Sequence, residues 1–139
     1  MSTGLAYKIL PKDKGIVITG RGSCEDKNLI IPEEIDGQKV VAIENGAFKY
    51  DKLLVSVKIA NTISHIGDCA FYECKNLESM VFPEETYIVG SYAFACNHKL
   101  KTIVFGRIGQ LDWFGQEYFH CCDKIKNIEI CRRGYNPKV

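Results

Sequence analysis

The sequence predicts a repeat solenoid, with parallel β-strands joined by bends and short helical turns and an N-terminal β-hairpin as a cap. Three observations carry this. Phe48, Phe71, Phe94 and Phe119 follow one another at steps of 23, 23 and 25 residues. One apolar pattern recurs in the same phase, as Leu54-Val57-Ile59, Leu77-Met80-Phe82, Leu100-Ile103-Phe105 and Ile125-Ile128-Ile130. The last two members of each copy alternate with period two, which marks a short strand with one buried face. A unit this short cannot bury its own apolar face, so a fixed period implies that neighbouring units stack.

The elements follow in order. "YKIL" and "GIVITG", joined across Pro11 to Lys14, read as the capping hairpin within residues 5–22. Repeats are expected at 23–50, 51–73, 74–96 and 97–121, with a partial repeat and tail at 122–139. The first repeat carries an insertion containing Asp36-Gly37, a turn signal. Before each phenylalanine stands Ala47, Ala70, Ala93 or Tyr118, small in three of four, as close packing between stacked turns requires. Five residues before it stand Ile43, Ile66, Val89 and Phe114, and eight before it Val40, Ile63, Thr86 and Leu111. Gly67, Gly90 and Gly115 relieve crowding where the chain turns a corner, with Glu44 in the first unit. Five strand cores should then lie about 4.8 Å apart along the stack.

These units resemble the BspA-like class of leucine-rich repeats, whose pattern runs approximately L-x-x-I-x-I-P-x-x-V-x-x-I-G-x-x-A-F-x-x-C. The resemblance covers about Tyr7 to Ile130 and makes residues 1–139 a single leucine-rich-repeat domain. The proline after the strand is kept at Pro32 and Pro83 but is Ala60, Gly106 and Cys131 elsewhere. The cysteine position holds Cys74 and Cys122, but Asp51 and Asn97 in the other two units. The resemblance implies a non-enzymatic module that binds a protein or extracellular-matrix ligand, at the cell surface or secreted. A structural array fragment and a solenoid with a Cys/His metal site are the alternatives.

The 46% apolar and 25% charged composition is that of a globular chain. A net charge of +1 gives no reason to expect nucleic acid as partner. No apolar run approaches the roughly 20 residues of a membrane span. The opening "MSTGLAYKIL" lacks the basic and apolar regions of a signal peptide, which by itself favours the cytoplasm. Seven cysteines is an odd number, and free, mostly buried thiols are expected in preference to a disulfide framework.

Little in the chain points to chemistry, and no cofactor is expected. "GRG" at Gly20 to Gly22 opens no helix pattern, so it is no nucleotide fingerprint. Ser64, His65 and Asp68 invite a triad reading, but His65 falls in a variable, surface-type column with Ala42, Ile88 and Trp113. Cys96, His98, His120, Cys121 and Cys122 are dense enough to suggest zinc. Their spacings are not those of paired knuckles, and no metal is expected. A Cys96–Cys121 disulfide is geometrically conceivable, because stacked residues lie near the permitted Cα separation.

Two surfaces are candidates for a partner. The outward strand columns are Asn28, Ser56, Ser79, Thr102 and Asn127, then Ile30, Lys58, Val81, Val104 and Glu129. The second column places three aliphatic residues in the open. The bend offers Ser64-His65, Tyr87-Ile88 and Asp112-Trp113, where exposed aromatic side chains could anchor an interface. At the far end, Ile125, Ile128 and Ile130 need cover, and the last strand leaves an edge. Arg132 and Arg133 block that edge mildly, so a monomer with weak end-to-end self-association is expected.

Overall fold

A computed structural model gives the fold and describes residues 1–131. Each unit forms one coil of a β-solenoid. The expected five strands are β3 (Asn28–Ile30), β6 (Ser56–Lys58), β8 (Ser79–Val81), β10 (Thr102–Phe105) and β11 (Asn127–Ile130). They pair in that spatial order, all parallel, with Leu29, Val57, Met80, Ile103 and Ile128 in one row.

The bend is more than a bend. β5 (Gln38–Ile43), β7 (His65–Ile66) and β9 (Ile88–Val89) form a second parallel ladder. The hairpin joins it. β1 (Ala6–Ile9) pairs antiparallel with β2 (Ile16–Gly20), and β2 pairs parallel with β5. The first edge of the main sheet is covered separately, because Ser2 gives its N–H to the Ile30 carbonyl at 2.8 Å and accepts the Ile30 N–H on Oγ at 2.9 Å. In the insertion, β4 (Glu34–Ile35) folds back on β5 through Asp36 (φ 50°) and Gly37 (φ 79°). Positive φ at both loop residues is the mirror-image turn that suits a two-residue hairpin.

The expected helical turns take two forms. In the first three units the corner is a run of tight turns whose alternate N–H groups bond to the next coil. Gly46, Phe48 and Tyr50 donate to the carbonyls of Asp68, Ala70 and Tyr72 at 2.7–2.8 Å, and Cys69, Phe71 and Glu73 donate onward to Ser91, Ala93 and Ala95. A helix would spend these donors within its own coil. Short 3₁₀ segments occupy the fourth unit, at Ile108–Gly115 and Glu117–Phe119.

The core lies between the ladders. Phe48, Phe71 and Phe94 stack, with ring centroids 5.1 and 6.3 Å apart, and Phe119 continues the column 5.0 Å from Phe94. The glycines of the repeat have a concrete cause in two units. A Cβ on Gly67 would fall on the backbone of Asn45, and one on Gly90 on the backbone of Asp68. Those neighbours need the room, since Asn45 Oδ1 accepts the Asp68 N–H and Asp68 Oδ1 accepts the Ser91 N–H, both at 2.8 Å.

The "cysteine" column works as a donor column. Cys74 Sγ donates to the Phe48 carbonyl at 3.1 Å, Asn97 Nδ2 to the Phe71 carbonyl at 3.0 Å, and Cys122 Sγ to the Phe94 carbonyl at 3.1 Å. Thiol and amide are interchangeable here because each returns one donor to the preceding phenylalanine. Asp51, in the first coil, instead accepts two N–H groups of its own loop and a bidentate contact from Arg21 at 2.7 and 3.1 Å.

Two expectations change. Of the thiols, Cys24 and Cys74 are buried, Cys69, Cys96 and Cys122 are partly exposed, and Cys121 is exposed. Cys69, Cys96 and Cys121 at the corners lie close to solvent, whereas Cys74 and Cys122 beneath the phenylalanines turn inward and Cys24 joins the core. Ile128 is 47% exposed on the final coil, while Ile125 and Ile130 pack partly against the core. The tail expectation, resting on Arg132 and Arg133, lies outside the described residues.

Candidate binding surfaces

The outer face of the main sheet is less open than its sequence columns suggest. In the hydroxyl and amide column, Ser56 is buried and donates to Asn28 Oδ1 at 2.8 Å, and Asn127 Nδ2 donates to Thr102 Oγ1 at 3.3 Å. The polar row is therefore partly bonded to itself. In the next column Ile30 is 44% exposed, and Lys58 and Glu129 are exposed. Val81 and Val104 are not, at 5% and 2%. They pair with each other in mid-ladder, flanked by Lys58 on one side and Glu129 on the other. A short β-branched side chain between neighbours at strand spacing loses its solvent surface, and long side chains lay their stems along it.

The second ladder keeps its exposed column through three strands. Ala42, His65 and Ile88 are consecutive partners, with His65 exposed and Ile88 55% exposed. Tyr87, beside them, is 60% exposed, and the Arg107 guanidinium lies 4.5 Å from its ring centroid. Trp113 does not continue this column. The two extra residues of the fourth unit wind into 3₁₀ turns that carry its indole inward, 5.2 Å from Phe82 and 5.7 Å from Phe105. Phe114 is left at the rim, 36% exposed. Ile88 and His65 thus lie side by side with Tyr87 adjacent and exposed, whereas Trp113 belongs to the core.

The triad residues do not converge. His65 Nδ1 faces the Ser64 hydroxyl at 2.7 Å, but the Asp68 carboxylate is engaged by the Ser91 N–H. The Cys/His group does not assemble into a ligand set either, although Cys96 and Cys121 are neighbours. Cys122 Sγ turns inward to Phe94, Cys96 Sγ lies 3.7 Å from Tyr72 Oη, and His120 meets the Tyr92 ring at 6.0 Å. Among the described residues no three His, Cys, Asp or Glu side chains come together as metal ligands would. Burial pushes the Cys122 thiol up to about 11 and the Cys74 thiol up to about 12, so both are protonated donors at neutral pH.

One surface was not legible column by column. On the corner face, Tyr50 meets Tyr72 edge-on at 5.9 Å, and the Lys49 ammonium lies 5.1 and 5.5 Å from the two rings. Lys49 and Tyr72 share the column after the phenylalanines, but Tyr50 stands one column on, so only a diagonal reading would have joined the two rings.

The comparisons with known proteins bear on the stacked coils first. Residues 39–135 match the BspA type leucine-rich repeat region. The chain belongs to the BspA-type leucine-rich repeat family. Among curated proteins none matches it. Its fold is similar to a leucine-rich repeat protein from Bacteroides capillosus, with a TM-score of 0.72 at 18% identity over 93% of this chain and 95% of that one. A leucine-rich cell surface protein from Faecalibacterium prausnitzii gives 0.65 at 19% identity, over 94% of this chain and 43% of that one. A leucine-rich repeat protein from Eubacterium ventriosum gives 0.61 at 18%, over 88% and 32%. The chain therefore spans less than half the length of the last two. Among the described residues no helix is long and apolar enough to cross a membrane.

Proposed function

We propose that this BspA-type array is a non-enzymatic interaction module, and that it holds a protein or extracellular-matrix ligand against the face of its second ladder. The observation that carries the reading is the exposed Tyr87-Ile88 pair beside His65. An exposed tyrosine and isoleucine on a rigid, hydrogen-bonded ladder offer contact area at little ordering cost, and such anchors carry much of an interface's energy. Ile30, Lys58 and Glu129 add a second, more polar candidate surface on the main sheet. Val81 and Val104 fill the middle of that outward column, and Trp113 belongs to the core. The cell-surface description of the Faecalibacterium prausnitzii neighbour supports placing the partner outside the cell.

The test is affinity capture from a matrix extract on immobilised chain, comparing the wild type with a Tyr87→Ser/Ile88→Ser variant of unchanged thermal stability. The reading holds if specific proteins are retained by the wild type and lost from the variant. Equal retention moves the site elsewhere, and no retention leaves a structural array element.

A further inference from the structure

The net charge of +1 conceals a local gathering of lysine side chains. Each coil enters the main sheet through an exposed lysine, in turn Lys27, Lys52, Lys75, Lys99 and Lys124. At the opposite ends of the strands lie the exposed acids Glu33, Glu34, Glu84 and Glu85. Stacking at about 4.8 Å per coil brings these lysines near one another, with the exposed acids Glu25, Asp26, Glu73 and Asp123 interspersed among them.

A groove of about 350 Å³ runs between Lys27, Lys52 and Lys99. Its floor is mixed. Leu53, 41% exposed, and Val55 give it an apolar centre, and Asn76 and Glu78 complete the lining. The polar side chains are already positioned, since Asn76 Nδ2 donates to the Lys52 carbonyl at 2.7 Å and Lys99 Nζ donates to Asn76 Oδ1 at 3.1 Å.

We propose that this groove binds an acidic peptide segment extended along the stack. Its carboxylates meet Lys27, Lys52 and Lys99, and an apolar side chain sits on Leu53 and Val55. This goes beyond the reading of the Tyr87 face, because the groove is a separate surface of the same array. Lys27 and Lys99 stand three coils apart, about 14 Å, which four or five residues of extended chain cover at about 3.3 Å each. The floor favours a peptide over a dense polyanion. Glu78, whose carboxylate lies 3.9 Å from the Lys101 ammonium, leaves a negative group in the floor that disfavours a phosphate or sulfate backbone yet can accept a peptide N–H, and Leu53 has no counterpart on a sugar-phosphate chain. Lysine, a point charge, is also sufficient for single carboxylates, whereas phosphate recognition favours arginine forks.

Fluorescence anisotropy with a labelled decapeptide tests this. The peptide alternates Asp with Ser around one central Leu, and its amide counterpart carries Asn for Asp. Heparin and an oligothymidine serve as competitors. Binding of the acidic peptide alone is expected, weakening with salt, falling at least about tenfold in Lys27→Glu/Lys52→Glu/Lys99→Glu and several-fold in Leu53→Ser. The Lys→Gln triple variant should show a smaller loss in the same direction, which separates charge from misfolding. Absence of peptide binding, or affinity unchanged by the triple variant, overturns the assignment. So does tighter binding of heparin or oligothymidine that ignores Leu53→Ser. If capture through Tyr87 and Ile88 succeeds while the peptide fails, only the groove assignment falls. If capture fails while the peptide binds, the face is wrong and the groove stands.

Discussion

The Phe71 ring stacks on Phe48 with centroids 5.1 Å apart and planes 7° from parallel, 23 residues and one coil away. Phe71 is completely buried and also meets Phe94. Phe71→Ala removes this rung and leaves a cavity between two rings that the backbone ladders hold in place. A loss of about 3–5 kcal/mol is expected by denaturant titration. Phe114→Ala, at the rim, should cost about 1 kcal/mol. Equal costs would mean the register is misread.

The corner glycines give a second contrast. Gly90→Ala drives a methyl group into the backbone of Asp68, whereas a Cβ on Gly115 meets nothing within 4 Å. Gly90→Ala should destabilise by about 1–3 kcal/mol, and Gly115→Ala should stay within about 0.5 kcal/mol of the wild type. Thermal melts of the two variants side by side decide it.

Asn97 is fully buried. It accepts the Cys74 N–H at 2.8 Å and donates to the Phe71 and Phe94 carbonyls. Asn97→Leu orphans these groups, at about 1–3 kcal/mol for each buried group left unsatisfied. Asn97→Cys restores the donor that Cys74 and Cys122 supply in adjacent coils, and it should recover part of the loss. A cysteine variant no more stable than the leucine one would remove the donor column from the account.

Alkali should act through Cys74, whose thiol burial raises from an ordinary 9.0 to about 12. Below pH 9 the folded and unfolded chains both hold this proton, and stability does not depend on it. Between pH 9 and about 12 the unfolded chain releases the proton while the folded chain keeps it, so stability falls as pH rises. Cys74→Ala should reduce that slope, leaving the part that Cys122, raised to about 11, contributes, while lowering stability at neutral pH. An unchanged slope in urea titrations from pH 8 to 10.5 would contradict the assignment.

The sequence made the main sheet legible because Leu54, Val57 and Ile59 and their copies are long, apolar and periodic. The second ladder was hidden, since two-residue strands such as His65–Ile66 and Ile88–Val89 are too short to show alternation. They exist because adjacent coils supply their hydrogen-bond partners. Val81 and Val104 sit at outward positions, as the alternation requires, but burial in mid-ladder depends on what stands in the coils on either side. Trp113 was misplaced by the inserted residues, which wind into 3₁₀ turns and break the column arithmetic. Lys27, Lys52 and Lys99 lie in three separate coils, and only stacking brings them to one groove.

The central claim is that the face bearing Tyr87 is where a partner sits. Hydroxyl-radical footprinting of the chain with its captured partner reads this directly, because Tyr50 and Tyr92, 54% and 43% exposed on the corner face, are internal controls for Tyr87 at 60%. Oxidation of Tyr87 and His65 should fall several-fold in the complex while Tyr50 and Tyr92 react as in the free chain. Protection of Tyr50 and Tyr92 with Tyr87 unchanged would contradict it.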